Sequence, residues 1–342
     1  MSHPLHPHRP RIIPSALLLL GLLASTSTCT TGSGDEPGDD ADAGGGEALD
    51  ITDLIFEEIS ADCADHANQL WASVTDLQRM LGFEASVVIM ASADTCTLIS
   101  NNIPNHDFDD PSAQFATDVT EVSQSFTIPR NPVAAASPTP LSQRTYNAVF
   151  LNGVPLDLLS AGCYSPDSPM ADPDGNVLIG CREDAPWLLD PLGVDNKFGA
   201  DAHNAHTQPD GSYHYHGNPM ALFDDTPGPQ GSPVIGFAAD GFPVYGSYFR
   251  DVDGNVRKAV SGWTLKVGDR PSGTGDPGGS YDGSYVDDWE YTGAGDLDEC
   301  NGMTVNGQYG YYVTDAYPWV MACHHGTPHP SFDKGGPGPV AP

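Results

Sequence analysis

Positive charge is what this 342-residue chain has least of: 13 lysines and arginines stand against 46 aspartates and glutamates, a formal net charge of −33. Phosphate binding needs the opposite sign, so a nucleic-acid partner is excluded. No C-x-x-C pair occurs, which argues against zinc ligation by the cysteines. G-x-S-x-G, G-x-x-x-x-G-K and H-E-x-x-H are also missing, and with them any sign of a serine hydrolase, a P-loop enzyme or a zincin. No solenoid or propeller repeat is evident. Beyond residue 23 no apolar run is long enough to cross a bilayer.

What is present begins with an export signal. Arg9 and Arg11 precede the apolar run Ile12 to Leu23, and small residues follow from Ala24 to Thr28. Cys29 stands where a bacterial lipoprotein is acylated, although Thr26 replaces the usual leucine; ordinary cleavage nearby is the alternative. Residues 1–29 therefore read as a lipoprotein-type signal. The acidic, glycine-rich stretch 30–50 reads as a disordered linker, because it cannot bury enough apolar surface to fold. The expected location is the cell envelope or outside, anchored in a bacterial outer membrane, with the lipid at Cys29 as the only membrane contact. Removing residues 1–28 leaves 11 basic and 46 acidic residues, a net charge near −35. Such charge keeps an extracellular protein soluble and concentrates cations around it.

With Cys29 set aside, Cys63, Cys96, Cys163, Cys181, Cys300 and Cys323 form an even set, and an oxidising compartment favours disulfides. The 38 glycines and 31 prolines make up about a fifth of the chain and point to many turns and short strands. Asp53 to Ile59 reads as a short helix, and Ala67 to Leu81 as a helix or a strand pair. Ser86 to Met90, Thr95 to Ser100, Gln308 to Thr314 and Trp319 to Cys323 read as strands. Asn152-Gly153 and Asp240-Gly241 read as hairpin dipeptides between alternating apolar runs. The predicted architecture is one compact, mainly-β domain over residues 51–332, built of short antiparallel strands and hairpins with little helix. A Gly/Pro tail, 333–342, follows as disordered.

The most informative segment is Ala205 to Gly217. His214 and His216 share one face of an extended strand, and Tyr213 and Tyr215 the other. Upstream, Pro209-Asp210-Gly211 is the chemistry of a three-residue hairpin loop, with glycine in the left-handed position. In that register His206 faces His214 and Asn204 faces His216, so His206, His214 and His216 converge on one surface with Asn204 beside them. A four-residue loop would instead bring Ala205 and His203 opposite His214 and His216 and turn His206 away. Three converging imidazoles suit copper or zinc better than calcium or magnesium. The competing reading is a well-packed strand with hydrogen-bonded histidines, in a non-catalytic surface module.

These residues resemble the YHYH-domain proteins, a mostly bacterial exported family named for the run found here at Tyr213 to His216. Further blocks resemble the family in order: Ser100 to Phe108, Leu151 to Leu156, Ala205-His206 with Gln208-Pro209, Asp240 to Gly246, Leu297 to Gly302, and Tyr317-Pro318 with Cys323. They span roughly residues 90–330. Gln308 to Thr314 departs from the pattern, standing where relatives tend to have a second Tyr/His-rich strand. The resemblance implies no activity. Cys300 and Cys323 lie in late blocks, and Cys163 and Cys181 flank an Asp-Gly-Asn turn. The expected pairing is Cys63–Cys96, Cys163–Cys181 and Cys300–Cys323, one of the fifteen connectivities that six cysteines allow.

Other residues carry weaker expectations. His324 or His325 offers one further ligand at most, since adjacent histidines face opposite sides of a strand. His106 is a second candidate, with a structural role the stronger reading. Asp240 and Glu299 offer carboxylates, and Tyr213 or Tyr215 an acid, base or redox group beside the metal. Asp172-Pro-Asp-Gly-Asn and Asp251-Val-Asp-Gly-Asn resemble calcium loops, but hairpin turns explain them better.

Overall fold

Strand length and burial distinguish two main sheets, accompanied among the described residues by four two-stranded ribbons. The computed structural model describes residues 48–194 and 197–335. The expected signal segment with Cys29, the linker as far as residue 47 and the tail from residue 336 lie outside these. Leu49–Asp50, inside the expected linker, already pair in parallel with the next strand. Asp333 and Lys334, inside the expected tail, are tied to Thr145 and Asp157.

The first sheet has five strands in sequence order: β1 (Leu49–Asp50), β2 (Asn68–Asp76), β3 (Leu81–Ala91), β4 (Thr95–Ser100) and β5 (Gln124–Pro129). Its long strands alternate. Leu70, Ala72, Val74, Ala85, Val87, Ile89, Leu98, Phe126 and Ile128 are buried, and their neighbours mostly face solvent. This period of two is what a sheet covered on one side requires. Ala67 to Leu81 is neither the helix nor the strand pair expected within it: it forms one strand, β2, and a turn that leads into β3 at Leu81.

The second sheet has eight short strands: β6 (Ala148–Phe150), β7 (Pro155–Leu156), β8 (Ala205–Thr207), β9 (Tyr213–Tyr215), β10 (Val234–Ala238), β11 (Pro243–Tyr245), β12 (Gly302–Val305) and β13 (Gln308–Tyr312). They run in the order β8-β9-β7-β6-β10-β11-β13-β12. Most pairs are antiparallel, but β9–β7 and β11–β13 are parallel. The central strands are buried on both faces, so alternation is lost. Gly153 brings the β6–β7 hairpin against the first sheet. It has φ +83, and a Cβ there would lie 2.5 Å from that of Ser100. Ser100 Oγ donates to the Gly153 carbonyl at 2.7 Å, and Asn102 Nδ2 donates to that of Tyr213 at 2.9 Å.

One turn recurs. At Asp172, Asp201, Asp251 and Asp298 the carboxylate accepts the backbone N–H groups two and four residues on. The residue three on has positive φ and is Gly175, Asn204, Gly254 or Asn301. Both calcium-like segments are thus hairpin turns that consume their own aspartates. The copy at Asp201 launches β8.

No α-helix occurs among the described residues; the helical elements there are three 3-10 turns, Cys63–His66, Val286–Asp288 and Pro330–Phe332. The helix expected over Asp53 to Ile59 does not form. Asn105 Nδ2 takes the carbonyls of Ile51 and Leu54, and the N–H of Phe56 goes to Leu222, leaving no local ladder. Only Cys323 of the strand expected over Trp319 to Cys323 is extended in a ladder. Trp319 has φ +66, and its N–H closes a turn onto Ala316. The disulfides are Cys63–Cys96, Cys163–Cys181 and Cys300–Cys323.

Candidate metal centre

The β8–β9 hairpin has the three-residue register. Ala205 pairs with Tyr215, His206 with His214 and Thr207 with Tyr213. Gln208 N–H bonds the Ser212 carbonyl, Gly211 N–H closes the loop onto Gln208, and Gly211 has φ +85. His216 N–H donates to the Asn204 carbonyl at 2.8 Å, carrying the pairing one step further.

On the resulting face the three imidazoles meet nitrogen to nitrogen. Nε2 of His216 lies 2.9 Å from Nε2 of His206 and 3.1 Å from Nε2 of His214. The rings are mutually steep, with centroids 4.6, 4.7 and 4.7 Å apart, so they surround one point. A single ion holding nitrogens at ~2.0–2.1 Å in tetrahedral geometry spaces them roughly 3.3 Å apart, close to what is seen. Nδ1 of His206 lies 2.8 Å from the Phe198 carbonyl, which can only accept; Nδ1 therefore carries the proton and Nε2 the lone pair. Burial holds His206 below its ordinary pKa, and burial with the charge of the neighbouring rings holds His214 and His216 well below theirs. Burial thus favours the neutral form of all three, the form that ligates a metal.

The cluster sits in a pocket of about 500 Å³. Asp157, just past β7, lines it and was not singled out from sequence. It is buried; its Oδ2 accepts from Gln208 Nε2 at 2.9 Å and Lys334 Nζ at 2.5 Å. Burial raises its pKa, and Lys334 opposes that rise. Nothing local distinguishes Asp157 in the sequence, because its partner lies 177 residues away.

The other face of the hairpin is a closed polar network. Tyr213 OH donates to Asp201 Oδ2 at 2.8 Å. Tyr215 OH meets His106 Nε2 at 2.6 Å and Asn152 Nδ2 at 2.9 Å. Neither tyrosine reaches the imidazole cluster, which corrects the acid, base or redox role expected of them; alternation along β9 turns them away. Asn204 Nδ2 is committed to the Asn218 carbonyl at 2.8 Å. His106 bonds through both ring nitrogens and stacks on His203 at 3.7 Å. His203 also bonds the Pro219 carbonyl and is not in the cluster. His324 is buried against the Asn147 carbonyl, and His325 stacks on Tyr309. Asp240 is taken by Tyr311 OH and Gly326 N–H, while Glu299 is exposed.

A family model described as YHYH protein matches residues 125–326. That span takes in the whole second sheet and leaves β1 to β4 ahead of it. No curated protein and no solved structure matches the chain.

Proposed function

The chain belongs to the YHYH protein family, and we propose, from its own residues rather than from that membership, that it is an exported, lipid-anchored metal-binding protein holding copper or zinc through His206, His214 and His216. The observation that carries this reading is the approach of His216 Nε2 to about 3 Å of Nε2 of both His206 and His214, with ligand atoms of all three rings within 4.8 Å of one another and His206 already oriented through its outer nitrogen. Lone pairs so arranged repel unless a proton or a cation lies among them. Bound there, copper or zinc would supply Lewis acidity or oxygen chemistry at a position left open toward the pocket. This chain's own part is to keep the imidazoles neutral, to fix the His206 tautomer and to set the Asp157–Lys334 pair beside them.

A second reading, a non-catalytic surface module with structural histidines, is favoured by the 2.9 Å contact of His216 with His206, which one proton converts into a hydrogen bond. Metal analysis of protein purified without a histidine tag separates the two. One equivalent of copper or zinc, lost on mutation of any of the three histidines, supports the centre. A folded protein that takes up neither metal removes it.

A further inference from the structure

At the other end of the eight-stranded sheet from the imidazoles lies a second cavity, built mainly of aromatic rings. Tyr245 on β11 and Tyr312 on β13 are register partners in a parallel pair, so they share a face. Their rings stack with centroids 5.2 Å apart and planes at 20°. Gly310 gives that stack its room, since a Cβ there would lie 2.5 Å from Cε2 of Tyr245. Phe249 meets Tyr312 edge-on at 6.2 Å, and Tyr248 stands beside it on the ribbon paired with Val256–Lys258. The four rings enclose about 260 Å³, with Gln230, Asn306 and Gln308 among the polar side chains that line it.

Charge is what the cavity lacks. Among the described residues none that lines it is ionised, in a chain with 13 basic and 46 acidic residues. A charged ligand would give up water there with no opposite charge in return. The aromatic walls alone would suit a quaternary ammonium, but Lys258 Nζ already lies over the Tyr248 ring at 5.7 Å.

Hydrogen-bonding capacity is what it keeps. The hydroxyls of Tyr245 and Tyr312 bond to no described residue. Burial raises both phenols, Tyr245 to about 12, so each stays neutral and can donate as well as accept. Gln308 gives Nε2 to the Tyr309 carbonyl at 2.8 Å and keeps its oxygen. A sugar ring has matching needs: its C–H groups meet the electron-rich faces of aromatic rings, and its hydroxyls need donors and acceptors at the rim. The volume is just below the ~300–1,000 Å³ of drug-sized sites, which leaves room for about one such ring.

We propose that this cavity is a neutral-saccharide site for a single hexopyranose unit, its C–H face against Tyr245 and Tyr248 and its hydroxyls on Tyr312, Gln230 and the β12–β13 turn. It shares no lining residue with the imidazole pocket and does not depend on a metal.

The test is ligand-observed NMR titration of the full chain, with a chelator present so that the imidazoles play no part. The probes are the methyl pyranosides of glucose, galactose and mannose, with choline as the cationic alternative. At least one glycoside binds, and choline does not. Tyr248→Ala weakens that glycoside about tenfold through loss of a ring, and Tyr245→Phe about fivefold through loss of one hydroxyl. Gln230→Ala, at an exposed side chain that the fold does not need, weakens it about threefold. Failure of all three glycosides to bind overturns the proposal, as does choline binding more tightly than each of them. Full affinity in both Tyr248→Ala and Gln230→Ala would place the sugar elsewhere and overturn it equally.

Discussion

The two faces of the β8–β9 hairpin put the same residue type to opposite uses. On one face His106 packs against Tyr215 with both ring nitrogens bonded, and Tyr213 is closed off by Asp201. On the other, His206, His214 and His216 turn their Nε2 atoms toward one another. A buried histidine is structural when its partners are complementary donors and acceptors, and ligand-ready when its lone pair meets only other lone pairs. Burial alone does not distinguish them, since His106, His214 and His216 are all about equally hidden.

The sharpest way to break that contrast is to delete single rings. His206→Ala, His214→Ala and His216→Ala each weaken copper or zinc binding more than ~100-fold, since losing an outer partner alone costs ~10–100-fold; His203→Ala leaves it unchanged. Chelator competition measures this, and metal lost from His203→Ala but kept by His206→Ala would mean that the faces are exchanged. Next in size, Tyr215→Phe strands His106 and Asn152 and costs ~1–3 kcal/mol of stability. It leaves metal affinity intact, so an equal fall in both denaturation midpoint and affinity would show the faces to be coupled.

Gly211→Ala costs ~1 kcal/mol or more, because φ is +85 and the new Cβ would sit 2.4 Å from Thr120 Oγ1. If the turn sets the register, metal binding weakens along with the melting temperature; a variant that melts lower with full metal affinity would separate turn from register. The smallest effect is in pH. Burial, with the neighbouring His203 charge, lowers the His106 pKa to about 3, so the unfolded chain binds the proton first. Stability is therefore full above ~6.5 and declines as pH falls from there toward 3. His106→Gln should flatten this slope, read from denaturant midpoints at pH 7 and pH 5; an unchanged slope would shift the effect to the cluster histidines.

The hairpin was legible because its signals are local. Pro209-Asp210-Gly211 names the turn, and the period of two assigns each side chain a face. The long strands of the first sheet were legible for the same reason, through Thr95 to Ser100 in particular. Asn306-Gly307 is an equally plain hairpin signal; both residues have positive φ where β12 turns into β13. The Asp-x-x-Gly/Asn pattern is local too, and at Asp201 it sets the entry to β8.

The helix expected over Asp53 to Ile59 fails for a nonlocal reason. Its backbone groups are claimed by Asn105 and Leu222, which no window around residue 55 contains. The pocket beside the cluster was hidden in the same way. Phe198 comes from a loop, Asp157 from the end of β7 and Lys334 from what reads as a tail, and only the folded chain brings them within bonding distance of one another or of the histidines.

Sequence by itself determined the disulfide-bonded, mainly-β class, the hairpin register and which three histidines share a face, because turn chemistry and strand alternation act over a few residues. Tertiary structure alone decided that Tyr215 closes onto His106 and that two of four lysines end at one pocket in so acidic a chain. Those outcomes depend on packing between segments more than a hundred residues apart, where loop closure and shape rather than local propensity select the contact.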